Sequence, residues 1–424
     1  MDFLKRYFKG DLVVWMVYFL LVLISIICMY SASYRLTQHS STFGPILKHI
    51  IMLGAGFIVM YVTQFATRQI TRISGWALLF ISWVLLIATL VFGQSGGDAH
   101  RSLQLGGISI QPSEFARLAI LIVIADIIHR FHEHRENEKG YYYTILGLFA
   151  VTVILIITQA LSTSLLLCLT LVATIIYAGF SWKLLLKSGA VVGALIAILS
   201  LSCVASYNAG HYNNDYISQT NAIHAGFLKA TKRSETWIAR FKNFGAQSDE
   251  ENKYIITDKN IQESNAAIAI ALGRHPAGPG NSQQRRVLPN ADNDFIFAII
   301  VEEFGVFGAV VIMMLYIFLL YRCFRIANQS TNTFDSTMVM SLSLIILLQA
   351  LLHIAISVGF VPVTGQSLPL IGRGGSSIVI ISAYIGLSLS VAERNNRRLN
   401  NEQDQTEEEQ STPSLSSNTE LVNQ

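Results

Sequence analysis

Charge is scarce in this chain. Only 13% of its 424 residues are Asp, Glu, Lys or Arg, while 52% are hydrophobic and the mean hydropathy is +0.46. A soluble domain carries roughly a quarter charged residues, so that class is excluded. The net charge of +3 is too small to suggest a nucleic-acid binder. Cysteine is equally sparse. Cys28, Cys168, Cys203 and Cys323 lie scattered along apolar runs without metal or disulfide spacing, and they read as packing residues. No convincing internal repeat is evident. No cleavable leader is expected either: the apolar run after "MDFLKRYFKGD" is too long for one, so the first segment reads as a retained span.

Apolar runs of about 20 residues, each able to cross a hydrocarbon core of roughly 30 Å, dominate what remains. They predict an all-α polytopic membrane protein of about ten transmembrane helices. The spans fall near 12–31, 45–64, 73–92, 113–131, 142–159, 162–180, 184–205, 295–320, 335–359 and 368–392. Alternate short segments carry the cations: Lys5, Arg6 and Lys9; Arg68 and Arg72; Arg130, Arg135 and Lys139; Lys183 and Lys187; Arg322 and Arg325; Arg394, Arg397 and Arg398. The positive-inside rule then places both termini in the cytoplasm. The membrane domain is read as 1–394, with one long extracytoplasmic loop at about 206–294. A loop of that length is more often functional than filler. The polar, acidic tail 395–424 is read as disordered.

Acids recur where burial costs most. "RRVLPNADNDFIFAIIVEEFG" sets Asp292 and Asp294 against the start of a span and puts Glu302 and Glu303 inside it. From Asp294, Glu302 lies about 12 Å deeper on a helix and Glu303 falls on roughly the opposite face, so the four cannot share one small ion site. A rim carboxylate such as Asp294 suits general-base work or, more blandly, capping of the helix start. In "QPSEFAR", Glu114 and Arg117 stand three residues apart and can pair; the pair either fixes packing or lines an anionic-substrate cavity with Arg101. "LIGRGGSS" surrounds Arg373 with glycines whose backbone can approach a neighbour closely or hold an anion. "HPAGPGNSQQRR" is broken by Gly278, Pro279 and Gly280, and its Gln283, Gln284, Arg285 and Arg286 offer donors suited to phosphate or sugar, or simply to solvent.

These stretches resemble one family, the SEDS proteins (shape, elongation, division, sporulation), over about residues 10 to 392. "YSAS" at 30–33 is similar to the end of the first span in FtsW-type members. "QPSEFAR" at 111–117 follows Q-P-S-E-x-x-K, with Arg117 for the lysine. "GPGNSQQRRVLPNADNDFIFAIIVEEFG" follows G-x-G-x-S-x-Q-K…L-P-E-x-H-T-D-F-I-F-A-x-x-G-E-E-x-G. "PVTGQSLPLIGRGGSS" at 362–377 follows P-V-T-G-x-x-L-P-F-I-S-Y-G-G-S-S. The chain departs at Ser102 for tryptophan, at "QALST" (159–163) for P-D-x-G-T, at Asn290 for glutamate, at Asp292 for histidine, and at Gly372-Arg373 for Ser-Tyr.

The resemblance implies a peptidoglycan glycosyltransferase that polymerises lipid II on the outer face of the cytoplasmic membrane. It implies Asp294 as the base that takes the proton of the acceptor sugar's 4-hydroxyl. The leaving diphosphate would then be met by Arg101, Arg117, Arg240, Arg285 and Arg373, with Ser282 and Gln283 as further substrate contacts. Glu114, Pro112, Gly278, Gly280, Pro289, Glu302, Gly374 and Gly375 would be structural. No protein metal cluster is expected, although a divalent ion, Mg or Mn, could share the charge. Expected partners are lipid II, a class B penicillin-binding transpeptidase and other divisome proteins; no nucleic acid is among them. The "FKGDLVVW…YSAS" opening favours a division enzyme of the FtsW type at the septum, with a RodA-type elongation polymerase as the close alternative. A lipid-linked sugar flippase and a division scaffold are the readings from other classes; they would need midplane charges and a dispensable Asp294, respectively.

Overall fold

The computed structural model describes residues 8–33, 44–92, 103–105, 108–134, 137–157, 159–181, 183, 186, 189 and 260–411. Helices dominate: α1 (Leu12–Ala32), α2 (Gly44–Thr63), α3 (Arg68–Phe92), α4 (Pro112–Glu133), α5 (Glu138–Ile157), α6 (Leu161–Tyr177), α7 (Ile261–Leu272), α8 (Ile296–Gln329), α9 (Thr333–Ser357) and α10 (Gly375–Ser411). Seven of them (α1, α2, α3, α5, α8, α9 and α10) are long and apolar enough to cross a membrane. The shorter α6 is apolar, and α4 carries Glu114, Arg117, Asp126, Arg130 and Glu133 along its length. The span read at 184–205 lies outside the described residues, apart from positions 186 and 189.

Helix α4 is the hub. It is buried almost throughout from Pro112 to Ile128, with Glu114, Arg117 and Asp126 enclosed among its apolar residues. Around it, α3 and α9 pack directly, α6 packs on α9, α8 on α9 and α1, and α2 on α10. Small residues set the closest approach: a Cβ on Gly56 would press on Ser382 Oγ at 2.7 Å, and one on Gly386 would strike Thr63 and Met60.

Buried acids tie the helix ends on the face that the charge rule assigns to the cytoplasm. Asp126 of α4 accepts from Arg72, from Arg130 at 2.9 Å and from Trp76 Nε1 at 3.1 Å. Asp335, at the start of α9, accepts from Arg68 at 2.6 Å and from Arg394 at 2.9 Å. Asp11 caps α1 through the amides of Val13 and Val14, and it pairs with Arg322.

Four features differ from the sequence reading. A short antiparallel hairpin, β1 (Leu103–Leu105) with β2 (Ile108–Ile110), precedes α4. The stretch read as one long loop, 206–294, contains α7. Gly305 breaks α8 at φ 69°, ψ −168°, so the run read as one span is two helical pieces. Finally, α10 begins at Gly375 rather than near 368 and continues to Ser411, past the expected boundary at 394. Its extension is held by Arg397 on Glu393 at 2.9 Å, Arg398 on Glu402 at 3.4 Å, and Asn395 donating to the Ile326 carbonyl at 2.9 Å.

Candidate functional site

The turn before α8 carries Asp294. Asn290 adopts φ 53°, and its carbonyl accepts from Asn293 N at 3.1 Å and from Asp294 N at 3.0 Å. Leu288, Ala291 and Phe295 anchor the turn in a small apolar cluster with Ala266 and Ala269 of α7. Asp294 is half-buried, and its Oδ1 accepts from Asn293 Nδ2 at 2.7 Å. The N-cap of α8 is Phe295, which supplies no side-chain cap, so Asp294 stands one residue before the capping position. Its carboxylate is oriented by an amide neighbour.

The two glutamates have a different task. Glu302 and Glu303 are almost fully buried, and both grip the glycine-rich loop. Glu302 accepts from the Ser282 hydroxyl, from Gln283 N at 2.7 Å and from Gln284 N at 3.2 Å. Glu303 accepts from Ser31 Oγ and from Ser282 N at 3.2 Å. The loop also donates to the helix backbone, Ala277 N to Glu302 O at 3.1 Å and Gly278 N to Glu303 O at 3.0 Å. Gly278 and Gly280 take φ of 83° and 77°, in the region glycine allows at least cost. Clustered backbone donors thus satisfy carboxylates that burial would otherwise penalise.

Beside the turn lies a polar cavity of about 260 Å³, lined among others by Lys48, His49, Gln111, Glu114, Asn293 and Arg373. The first residues of α10, Gly375, Ser376 and Ser377, face the same space, which brings the positive end of a long helix to it. Ser377 is 8% exposed, and its Oγ has no hydrogen-bond partner among the described residues. Arg373 is 43% exposed at the side chain; its Nη1 meets Asp292 Oδ2 at 3.0 Å, and its backbone N donates to Asp292 O at 3.0 Å.

The irregular stretch 362–374, which forms one wall, is held by buried polar groups. Gln349 donates to Ser367 O at 3.0 Å, His353 Nδ1 to Gln366 O at 2.8 Å, and Ser25 Oγ to Ile371 O at 3.3 Å. Gln366 in turn donates to Thr163 at 2.7 Å and to Ser162 at 3.1 Å, which gives the "QALST" departure a packing role in this chain.

The structure brings Asp294, Glu114, Arg373, Gly374 and Gly375 to or beside the cavity and separates others from it. Arg117 is completely buried, paired with Glu114 and donating to Gln349 at 3.1 Å. Its guanidinium joins α4 to α9 behind Glu114, and of that pair only Glu114 lines the cavity. Ser282 is buried under Glu302, so its hydroxyl holds the loop. Gln283 is exposed, and Arg285 is half-buried with its amide on Ser282 Oγ at 3.1 Å. Pro112 opens α4, and Pro289 sits in the turn before Asn290. Arg101 and Arg240 lie outside the described residues. The sequence reading missed Lys48, His49, Asn293 and Ser377; only Lys48, a charge at the mouth of a span, offered a signal. Among the described residues no three His, Cys, Asp or Glu side chains group as metal ligands.

Comparison with known proteins places these features in context. The cell cycle protein family that comprises FtsW, RodA and SpoVE matches residues 11–397. The peptidoglycan glycosyltransferase MrdB of Escherichia coli K12 is 27% identical over 377 residues, covering 88% of this chain and 92% of that protein. The probable peptidoglycan glycosyltransferase FtsW of Bacillus subtilis strain 168 is 26% identical over 346 residues, covering 81% and 79%. In fold, a chain from a peptidoglycan synthase complex that coordinates polymerisation and crosslinking superposes with a TM-score of 0.67 at 21% identity, covering 91% of this chain and 98% of that one. The rod shape determining protein RodA of Thermus thermophilus gives 0.60 at 20% identity, with the same coverage.

Proposed function

The chain belongs to the cell cycle protein family of FtsW, RodA and SpoVE, and from that premise we propose that it is a peptidoglycan glycosyltransferase that polymerises lipid II with Asp294 as general base. Asp294 takes the proton of the acceptor 4-hydroxyl while that oxygen forms its bond to the donor's anomeric carbon. The bond from that carbon to the diphosphate oxygen breaks, and the diphosphate leaves with the electron pair. Charge grows on the leaving group, so donors fixed in advance stabilise the transition state more than the ground state. Lys48 and the N-terminus of α10 serve that purpose at the cavity. Arg101 and Arg240 would add to them from the outer segments, as the family resemblance implies.

One observation carries the reading. At the mouth of α8, Asp294 is half-buried and aligned at 2.7 Å by Asn293, itself a wall of the cavity. Such a carboxylate is desolvated enough to accept a proton and open enough to meet a hydroxyl. The test uses purified protein with lipid II and its transpeptidase partner. Wild type should yield glycan chains, and Asp294→Asn should lower turnover about 10²- to 10⁴-fold. Equal polymerisation by both would remove Asp294 from the mechanism; transport into liposomes without polymer would favour a flippase.

The same reading makes the chain a multi-pass protein of the cytoplasmic membrane with both termini inside. It acts with a class B penicillin-binding transpeptidase and other divisome proteins at the septum. The likeness to the rod shape determining protein RodA keeps an elongation role as the second reading. Depletion separates the two: filamentous cells follow loss of a division enzyme, rounded cells loss of an elongation enzyme.

A further inference from the structure

Three consecutive residues, Asp292, Asn293 and Asp294, are each held from one side. Arg373 clasps Asp292 twice, by backbone amide and by guanidinium, at 3.0 Å each. Gly372 lies against Asn293: a Cβ there would sit 3.4 Å from Asn293 O and 3.0 Å from Leu368 N. Asn293 holds Asp294 at 2.7 Å. Neither partner segment is helical, so repetitive backbone bonding does not fix the distance between the turn at 290–295 and the stretch at 362–374. An ion pair with a guanidinium this exposed contributes little to stability. Its geometric constraint is another matter, because a charge-assisted bond reinforced by a backbone bond fixes both distance and orientation. The two clasp positions are also both departures from the motif the chain otherwise follows, Asp292 for histidine and Arg373 for tyrosine. The two changed side chains touch.

We propose that Asp292 and Arg373 are positioning residues for the transfer reaction: an interdependent clasp that sets Asp294 against the cavity wall and that has been exchanged as a unit. The proposal rests on the transferase reading. A displacement of about 1 Å in a reacting group can cost on the order of 100-fold in rate, so a clasp of small stabilising effect can have a large catalytic one.

Polymerisation of lipid II is measured for wild type, Asp292→His, Arg373→Tyr and the double substitution, with Arg373→Lys as the conservative variant and melting temperature followed in parallel. Each single substitution should lower kcat by about 100-fold with KM for lipid II and melting temperature unchanged. The double substitution should recover most of the loss, and Arg373→Lys should be intermediate. Singles at wild-type rate, a double whose loss is the product of the single losses, or a kcat loss matched by loss of folded protein would each overturn the proposal while a polymerising wild type keeps the transferase reading. A wild type that makes no polymer with its partner sinks that reading, and this proposal with it.

Discussion

Acidic and basic side chains in this membrane chain divide by burial into those locked inside the bundle and those at its rim. Arg117 and Glu114 are paired inside the bundle, with Gln349 completing the set. Removing one partner strands the other charge in an apolar medium, so Arg117→Ala should cost about 3–5 kcal/mol, read as a fall in thermal denaturation midpoint in detergent. Asp294→Asn is the opposite case: near-isosteric and half-buried, it should leave that midpoint in place while lowering turnover about 10²- to 10⁴-fold. The sequence displayed much of this division. An acid and a base three residues apart on a helix announce a pair, and an acid at the mouth of a span announces a rim carboxylate. It did not reveal that Glu302 and Glu303 are satisfied by backbone amides and serines, because any residue type can supply those donors. Lys48 and Ser377 went unnoticed for the same kind of reason. A single lysine or serine at a span end is ordinary until the fold gathers several around one cavity.

At the scale of elements, the informative features are interruptions. The apolar run from 295 to 320 reads as one helix because glycine is common inside membrane helices, where it mostly allows close packing. Gly305 instead takes φ 69° and ends the first piece of α8 just after the two glutamates. A Cβ there would stand 2.7 Å from Pro276 Cγ. Gly305→Ala therefore combines left-handed strain with a clash and should cost about 1–3 kcal/mol. Since Pro276 leads into the loop that Glu302 and Glu303 grip, the same substitution should speed proteolysis between residues 273 and 286, assayed at a temperature where the rest of the chain resists. The hairpin before α4 escaped the sequence for a different reason: strands of three residues are too short to show alternation. Composition misled at the C-terminus. Glu, Gln, Asn and Arg without apolar partners suggest a disordered chain, yet spaced four apart they support a helix that α8 has already fixed through Asn395.

Across the whole molecule, the arginines from which orientation was read are the ones that build the floor of the bundle. Arg68 and Arg394 converge on Asp335, and Arg72 and Arg130 on Asp126, so these charges bind α3, α4, α9 and α10 at one end. The cavity, the Asp294 turn and the start of α10 occupy the other end. The helices between are long enough to separate the two layers by roughly the 30 Å of a hydrocarbon core. Lesions that far apart, with no shared partner, should add. Asp335→Asn removes one charge from a buried acceptor of two arginines that are themselves partly exposed, so it should lower the denaturation midpoint modestly and leave the outer site intact. Combined with Arg373→Tyr, it should give a midpoint shift equal to the sum of the single shifts and a kcat set by Arg373→Tyr alone. A double variant slower than either single would mean that the inner floor and the outer site move together. The helix joining them, α10, runs from the cavity wall through Arg394 and would then be the rigid element that carries the coupling.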